Sequence, residues 1–378
     1  MTGEAERLAR VHLSAALEPG DPAVLAAVQK GSAVAVVDRL TRGDRALDPD
    51  GRCGRRLASV DPRLVLERAE RLGIRFVTPH EPDWPGGLDS LDGVVRERRG
   101  GVPAGIWACG ELDVSVFRRS VAVVGSRAAT AYGAAVAGDF AASLAECAVT
   151  VVSGAAYGID AAAHRGALAV DGATVAVLAG GLDQAYPRGN AALIDRIRER
   201  GLLLSEAAPG SVVNRGRFLS RNRLIAAAAT GTVVVEAGRR SGALSTARWA
   251  EVLLRPLAAV PGPVTSSMSV GPHALVRDQQ AVLVAGPQDV LELVGDMGTD
   301  AAPLQTAPAA ATDGLSEPAA RVHDALPAKG SVTVAELMGR TGLTVSAVLR
   351  ALGELDARGL VAGQAEVWTR RTPRRRAP

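Results

Sequence analysis

With 378 residues, 47% of them hydrophobic, 22% charged and 3% aromatic, the chain carries enough apolar material for one large core or roughly two to three small ones, which excludes a disordered or fibrous protein. Its 43 basic and 40 acidic residues leave a formal charge of +3, so affinity for a polyanion has to come from where charge sits rather than from its total. No apolar run approaches the ~20 residues that span a bilayer, and the opening MTGEAERLAR lacks the basic-then-apolar order of a signal peptide, so a cytoplasmic protein with no membrane partner is expected.

Lys30 and Lys329 are the only lysines, so nearly every cation is an arginine. Cys53, Cys109 and Cys147 lie far apart, with no CxxC and no nearby paired histidines. They predict neither a disulfide framework nor a metal site, but reduced thiols, mostly in the core.

In chain order, residues 5–72 carry helix-like spacing in VLAAVQ and VDRL and no strand-like run, which predicts a small helical N-terminal domain over residues 1–73. Residues 74–295 alternate short apolar runs with longer alanine-rich segments. Strands are expected at Val121–Val124, Val149 or Thr150 to Val152, Thr174–Leu178, Leu202–Leu204, Thr232–Val235, Leu257–Val260 and Ala281–Val284. Continuous β-branched runs separated by helix-length connections are what a parallel sheet covered on both faces requires. With right-handed crossovers, the expected fold class is α/β, a doubly wound Rossmann-like parallel sheet whose ligands sit beyond the carboxyl ends of its strands.

Three of those ends are rich in small residues: Gly125-Ser126-Arg127, then Ser153-Gly154-Ala155-Ala156-Tyr157-Gly158-Ile159-Asp160, then Gly180-Gly181-Leu182-Asp183. Small side chains let backbone N–H groups and a helix N-terminus approach an anion, and Arg127 adds a fixed charge. Glycine also makes tight turns for their own sake; three such loops on neighbouring strands favour the anion. No cofactor is expected, because Gly125-Ser126-Arg127-Ala128-Ala129-Thr130 stands where a dinucleotide site needs G-x-G-x-x-G, and no P-loop exists. Ser153, Asp160 and His164 lack the G-x-S-x-G elbow of a serine hydrolase. Asp160 therefore reads as a first-turn charge and His164 as a structural hydrogen-bonding residue.

The densest signal is residues 207–235, which hold no Asp or Glu and are bracketed by Glu206 and Glu236. Within it NRGRFLSRNR supplies Arg215, Arg217, Arg221, Asn222 and Arg223 around Phe218. Arginines that follow a backbone, around a ring that stacks any base, are what binding of single-stranded nucleic acid needs. The alternative is a solvated arginine loop with Phe218 in the core.

Residues 296–319, rich in Ala, Pro, Thr and Asp, are expected to be a flexible linker. Beyond it, Val334, Leu337 and Met338 set one apolar face, Gly342 breaks it, and Leu343, Val345, Val348, Leu349, Leu352 and Leu355 set a second, followed by Gly359 and LVAGQAEVW. Helix, turn, longer helix and hairpin predict a winged-helix module over residues 320–368. Its second helix, Thr344 to Arg358, carries Arg350 and Arg358 against Glu354 and Asp356, and a neutral helix is a poor reader of a phosphate-lined groove. Protein interaction is at least as good an expectation there. A basic tail, residues 369–378, ends the chain.

Taken together and in order, GSR, SGAAYGIDAAAHRGAL, AGGLDQAYPRGN, SEAAPG, RFLSRNRLIAAAA, VVVEAGRRSGALSTA and VPGP closely resemble the Rossmann-like core of the DNA-processing protein A (DprA/Smf) family over about residues 74–290. The resemblance implies a non-enzymatic single-stranded DNA binding protein that forms a homodimer through this domain. It further implies a recombination mediator that loads the RecA recombinase onto incoming DNA in natural transformation. By motif match, Arg127, Arg215 and Phe218 are the expected DNA contacts, and Arg221, Asn222 and Arg223 shape or line the same pocket; Gly125, Ser126 and Arg217, from the same loop and arginine stretch, are expected to join them in DNA binding. Departures are Leu219 at a usual proline, Tyr157 at a usual arginine or leucine, EPGDPAV in place of a glycine-rich hairpin turn, and Gln280 at a usual glycine in the dimerisation region. The alternative function is a nucleotide-binding or nucleotide-cleaving enzyme of the phosphoribohydrolase type. That signature ends in a glutamate, whereas the corresponding stretch, Ser241 to Trp249, has Arg248 and Trp249 where carboxylates would fall.

Overall fold

A computed structural model of the chain describes residues 2–79, 81–295, 312, 314–364 and 366–371. The chain divides into two compact units, Met1–Ala302 and Pro303–Pro378. Most of the expected linker, 296–311 and 313, and the end of the basic tail, 372–378, lie outside the described residues.

Five helices open the first unit: α1 (Thr2–Ala16), α2 (Pro22–Lys30), α3 (Ala33–Thr41), α4 (Arg52–Ser59) and α5 (Pro62–Arg71). Their starts follow local chemistry. Asp21 accepts from the N–H groups of Ala23 and Val24, Ser32 from Ala35 and Asp61 from Arg63, with proline in the first turn of α2 and α5. Leu13, Val24, Leu25, Val36, Leu40 and Leu57 form their shared core. These helices pack directly on the edge of the sheet that follows: Trp107 Nε1 donates to Ser14 Oγ at 2.8 Å, and Ser14 Oγ donates to the Glu206 carbonyl at 3.0 Å.

The sheet begins with β1 (Arg75–Val77); a short hairpin, β2 (Val95–Arg96) and β3 (Arg99–Gly100), stands outside it, and β4 (Ile106–Gly110) returns to it. Then β5 (Ser120–Val124), α6 (Ala131–Glu146), β6 (Thr150–Ser153), α7 (Ile159–Ala169), β7 (Thr174–Val177), α8 (Ala191–Arg200) and β8 (Leu202–Ser205) wind outward. The chain returns through α9 (Arg215–Ala228), β9 (Gly231–Val234), α10 (Ala243–Val252), β10 (Leu257–Ala259), α11 (Val270–Arg277), β11 (Val282–Leu283) and α12 (Pro287–Val294). The nine strands lie in the order β1-β4-β8-β7-β6-β5-β9-β10-β11. Pairings from β8 through β11 are parallel, and β4 and β1 add antiparallel at one edge.

All seven strand-like runs of the sequence became strands, six of them with both faces covered; the seventh, β11, is a two-residue exposed edge strand. Ala122 and Val124 of β5 face α9 and α10, through Leu224, Ile225, Ala247 and Trp249. Val121 and Val123 face α6 and α7, through Ala137, Phe140, Leu144, Ile159 and Ala163. The strands β1 and β4 were not foreseen: RFV is too short and IWACG has a single β-branched residue, so neither gives the signature of a doubly covered strand. Of the thiols, only Cys109 is buried, on β4. Cys53 is half-buried, its pKa pushed up to about 11 by burial and by Asp48 and Asp21, and Cys147 is exposed just past the end of α6, so the expectation of mostly core cysteines fails.

The second unit contains α13 (Glu317–Ala325), β12 (Ser331–Thr333), α14 (Val334–Thr341), α15 (Val345–Ala357), β13 (Val361–Gln364) and β14 (Val367–Arg370), with the antiparallel strand order β12-β14-β13 of a winged helix. Helix α13 starts inside the stretch read as linker, because Ser316 caps it and a proline follows in its first turn. Thr333 and Glu336 form a capping box on α14, and Gly342 ends that helix.

Candidate nucleic-acid interface

The strand order reverses between β5 and β9, since the chain winds from β5 out to β8 and comes back to lay β9 on the other side of β5. At such a point the connections on either side diverge and leave a crevice beyond the carboxyl ends of the two strands. A cleft of about 960 Å³ opens there. Gly125, Ser126 and Arg127 line it from the β5 side, Gly238, Arg239 and Arg240 from the β9 side, and Arg215, Phe218, Arg221 and Asn222 of α9 from above the sheet.

The loop after β5 is held from within. Ser126 N–H donates to the Glu236 carbonyl at 2.7 Å, and the buried Glu236 carboxylate accepts from Thr130 N–H at 2.9 Å and Thr130 Oγ1 at 2.6 Å, at the start of α6. Gly125 packs so closely on α7 that a Cβ would stand 2.5 Å from Ile159 Cγ1. Ala128 N–H is taken by Ser126 Oγ, and Gly154 N–H by the Asp160 carboxylate. Several of the amides expected to cradle an anion are therefore already bound, Thr130 N–H by the Glu236 carboxylate and Gly154 N–H by that of Asp160. The third glycine loop lies outside the cleft, with Asp183 holding Gly210 N–H and Arg68. Attraction for an external anion falls to side chains.

Those side chains are mostly arginines. Arg127, Arg215, Arg221, Arg239, Arg240 and Arg248 line the cleft, against the carboxylates Glu97 and Asp160. Arg127, Arg215, Arg239 and Arg240 are exposed and have no carboxylate partner among the described residues. Phe218 is half-buried, which removes it from the core: its ring lies 4.5 Å from the Arg127 guanidinium, 5.9 Å from that of Arg221, and 5.8 Å from the Tyr186 ring at 52°.

Arg221 forms the floor. It is buried and donates from Nη1 to the carbonyls of Gly154 at 2.8 Å and Val177 at 2.5 Å, and a Cβ on Gly154 would collide with it at 2.0 Å. Burial pulls its pKa down to about 10 despite the support of Asp160, so it remains charged at neutral pH. Burial raises the Asp160 carboxyl, outweighing the opposing pull of Arg221 and of the Ala156, Gly154 and Gly125 amides. Burial and Arg221 together push His164 down to about 3. It is neutral, its Nδ1 bonded to Thr174 Oγ1 at 2.7 Å, while Ser153 Oγ is spent on the Val123 carbonyl. Ser153, Asp160 and His164 do not form a catalytic chain.

Asn222 lines the cleft and ties α9 to the opposite rim, its Nδ2 donating to the Gly242 carbonyl at 3.2 Å. Arg223 and Arg217 go elsewhere. Arg223 is wholly buried and grips Glu206 with Nη2 at 2.6 and 2.7 Å, while Gly20 N–H reaches the same carboxylate at 3.3 Å. Arg217 pairs with Glu18 at 3.0 Å and with the Val212 carbonyl at 2.9 Å. Neither lines the cleft, because the stretch is a helix rather than a loop and its register turns them toward the N-terminal helices. Conversely, the sequence reading passed over Arg239, Arg240 and Tyr186 as contacts, and took Arg248 only as a missing carboxylate. Their signal was the paired arginines just past a strand end, which gain meaning only when that strand is known to neighbour β5.

A Rossmann-like sheet with an arginine-lined, aromatic-bearing cleft at its switch point, joined in sequence to a winged helix, defines a protein built to handle a flexible polyanion. Residues 75–295 match the family described as DNA recombination-mediator protein A, and residues 305–365 match the DprA winged helix domain. The chain belongs to the DprA/Smf family. It is 45% identical over 361 residues, 94% of this chain and 92% of the relative, to a putative DNA processing protein DprA of Mycobacterium tuberculosis. Protein Smf of Escherichia coli is 41% identical over 191 residues, half of each chain. Among solved structures, DNA processing protein A from Streptococcus pneumoniae superposes with a TM-score of 0.64 at 29% identity, covering 77% of this chain and 98% of that one. The Helicobacter pylori protein, described for its unique single-stranded DNA binding mode, gives a TM-score of 0.50 at 28% identity, covering 58% of this chain and 94% of that one. Among the described residues no helix is long and apolar enough to cross a membrane, and no group of three metal-ligating side chains gathers.

Proposed function

We propose that the chain binds single-stranded DNA in the switch-point cleft and acts, without catalytic turnover, as a recombination mediator. The observation that carries this is Phe218, half-buried among Arg127, Arg221 and Tyr186 and surrounded by arginines with no carboxylate partner. A base stacked on Phe218 gains ~1–3 kcal/mol. Displacing Arg127 from the ring costs ~0.5–1 kcal/mol, so the exchange favours the base and frees Arg127 for a phosphate. Arg221, pinned beneath, keeps the floor level. The nucleotide-cleaving alternative lacks an acid: Trp249 is buried, Arg248 faces the cleft, and Asp160 is committed to backbone amides.

The family's description as a DNA recombination mediator supports a recombinase as the protein partner, and the proposal extends to loading of RecA in natural transformation. The exposed edge strand β11, with Val282 and Leu283 54% and 50% exposed, supports a homodimer through the sheet domain. In the winged helix, Glu354 accepts from Ser316 and Arg358 donates to the Gly314 carbonyl, which leaves α15 with Val345 and Leu349 exposed and little free charge. That supports protein rather than duplex contact.

The test is fluorescence anisotropy with labelled single- and double-stranded oligonucleotides across a salt series, beside a nucleotide-hydrolysis assay. Preference for the single strand, with affinity falling by about 0.7 log units per log unit of salt for each phosphate held, is expected. Equal affinity for duplex, or turnover of nucleotide, would overturn the reading.

A further inference from the structure

One element beside the cleft has no part in the binding described so far. The hairpin β2–β3 reads Val95-Arg96-Glu97-Arg98-Arg99-Gly100, pairing Val95 with Gly100 and Arg96 with Arg99. A two-residue turn with positive φ at both centres is ordinarily Asn-Gly or its like. Here the centres are Glu97 at φ 49° and Arg98 at φ 63°, so two long charged side chains occupy a conformation such residues rarely adopt. The hairpin is nonetheless fixed at its base, where Gly100 N–H donates to the Gly20 carbonyl and Gly101 N–H to that of Val94.

Glu97 lines the same cleft as Phe218, Arg127 and Arg248. Its Oε1 accepts from Arg96 Nη1 at 3.0 Å and lies 4.0 Å from Arg248 Nη1, while its carbonyl accepts from Arg99. The carboxylate thus acts as an internal counterion, 57% exposed, for cations on both sides. Arg98, at the tip, is exposed and has no partner among the described residues. Such an exposed pairing is weak and yields readily to a competing anion.

We propose that the β2–β3 hairpin is a second contact patch for the DNA strand: a strand leaving the cleft passes over it, with its phosphates taken by Arg98 and by Arg96 and Arg248 as these give up Glu97. This rests on the cleft binding single-stranded DNA and adds the direction in which the strand leaves. Glu97 then opposes binding by holding the cations the phosphates require.

Anisotropy on the full chain with oligo-dT of two lengths tests it, about 6 nucleotides to fill the cleft and about 20 to extend beyond it. Arg98→Ala is expected to leave the short oligomer unchanged, weaken the long one by about threefold, and flatten its salt slope by about 0.7. Glu97→Gln is expected to bind the long oligomer about threefold more tightly, a gain that a purely structural role for Glu97 would not produce. Both variants should melt as wild type does. Wild-type binding of both lengths with Arg98→Ala and Glu97→Gln indistinguishable from it overturns the hairpin path alone. A wild-type protein that binds neither length overturns the cleft reading as well.

Discussion

On one face of α9, Arg215, Phe218 and Asn222 follow at i, i+3 and i+7 and meet the cleft; on another, Arg217, Ser220 and Arg223 turn toward the N-terminal helices. The same run of arginines does two unlike jobs. Arg127, Arg215, Arg239 and Arg240 of the cleft have no carboxylate partner among the described residues and are wet, so they cost little to keep and attract a polyanion. Arg223 is dry and paired with Glu206, so it contributes structure and no external field. What separates them is helical register, which a count of cations in a window conceals. The bracketing glutamates are both buried and both hold the protein together, Glu206 gripping Arg223 and Glu236 the start of α6.

Breaking the dry side should have the largest effect. Arg223→Met leaves the Glu206 carboxylate buried without its partner, a loss of ~3–5 kcal/mol, to be read in urea unfolding; companion replacement of Glu206 by Leu should recover much of it. An Arg223→Met protein that unfolds like wild type but fails to bind DNA would invert the comparison. On the wet side, Phe218→Ala should cost ~1–3 kcal/mol of single-strand affinity at an unchanged salt slope, with normal melting because the ring is half-exposed. A large drop in melting temperature would return Phe218 to the core. Arg127→Ala and Arg215→Ala should each flatten the salt slope by about 0.7. An unchanged slope in either would remove that side chain from the phosphate path.

The smallest effect concerns Arg217. Burial works to raise the Glu18 carboxyl, but hydrogen bonds from Arg217 and Arg56 outweigh it and hold the pKa below the ordinary 4.5. A carboxyl depressed on folding adds stability that is present above its unfolded pKa and fades as pH falls through the folded value. Glu18→Gln should therefore lower stability by about 0.2–1 kcal/mol near neutrality and lose that deficit in acid below 4.5. A deficit constant with pH would show that the pair is immaterial.

Much of the first unit was legible because parallel strands buried on both faces announce themselves as β-branched runs. The edge strands β1 and β4 did not, since a three-residue RFV and a Trp-Ala-Cys core carry no period. Of the cleft, the Gly125-Ser126-Arg127 loop and the isolated Phe218 stood out locally. Arg239, Arg240 and Arg248 could not, because their place opposite Arg127 depends on β9 lying beside β5, a non-local pairing. The glycine loops misled for a physical reason: amides that looked free for a phosphate are satisfied by Glu236 and Asp160, acids that sit elsewhere in sequence or one turn into the next helix.

The cations that line the cleft are all guanidinium groups, and no histidine or lysine lines it. Guanidinium holds its proton throughout the physiological range, and His164, behind Arg221, is already neutral well above a pKa of about 3. Acidification of the medium toward about pH 6 leaves the arginine charges unchanged. Acylation, which silences ammonium groups on many nucleic-acid binding surfaces, finds no target here, since Lys30 and Lys329 both lie outside the cleft. The grip of such arginines answers to ionic strength and to competing polyanions rather than to loss of their own protons.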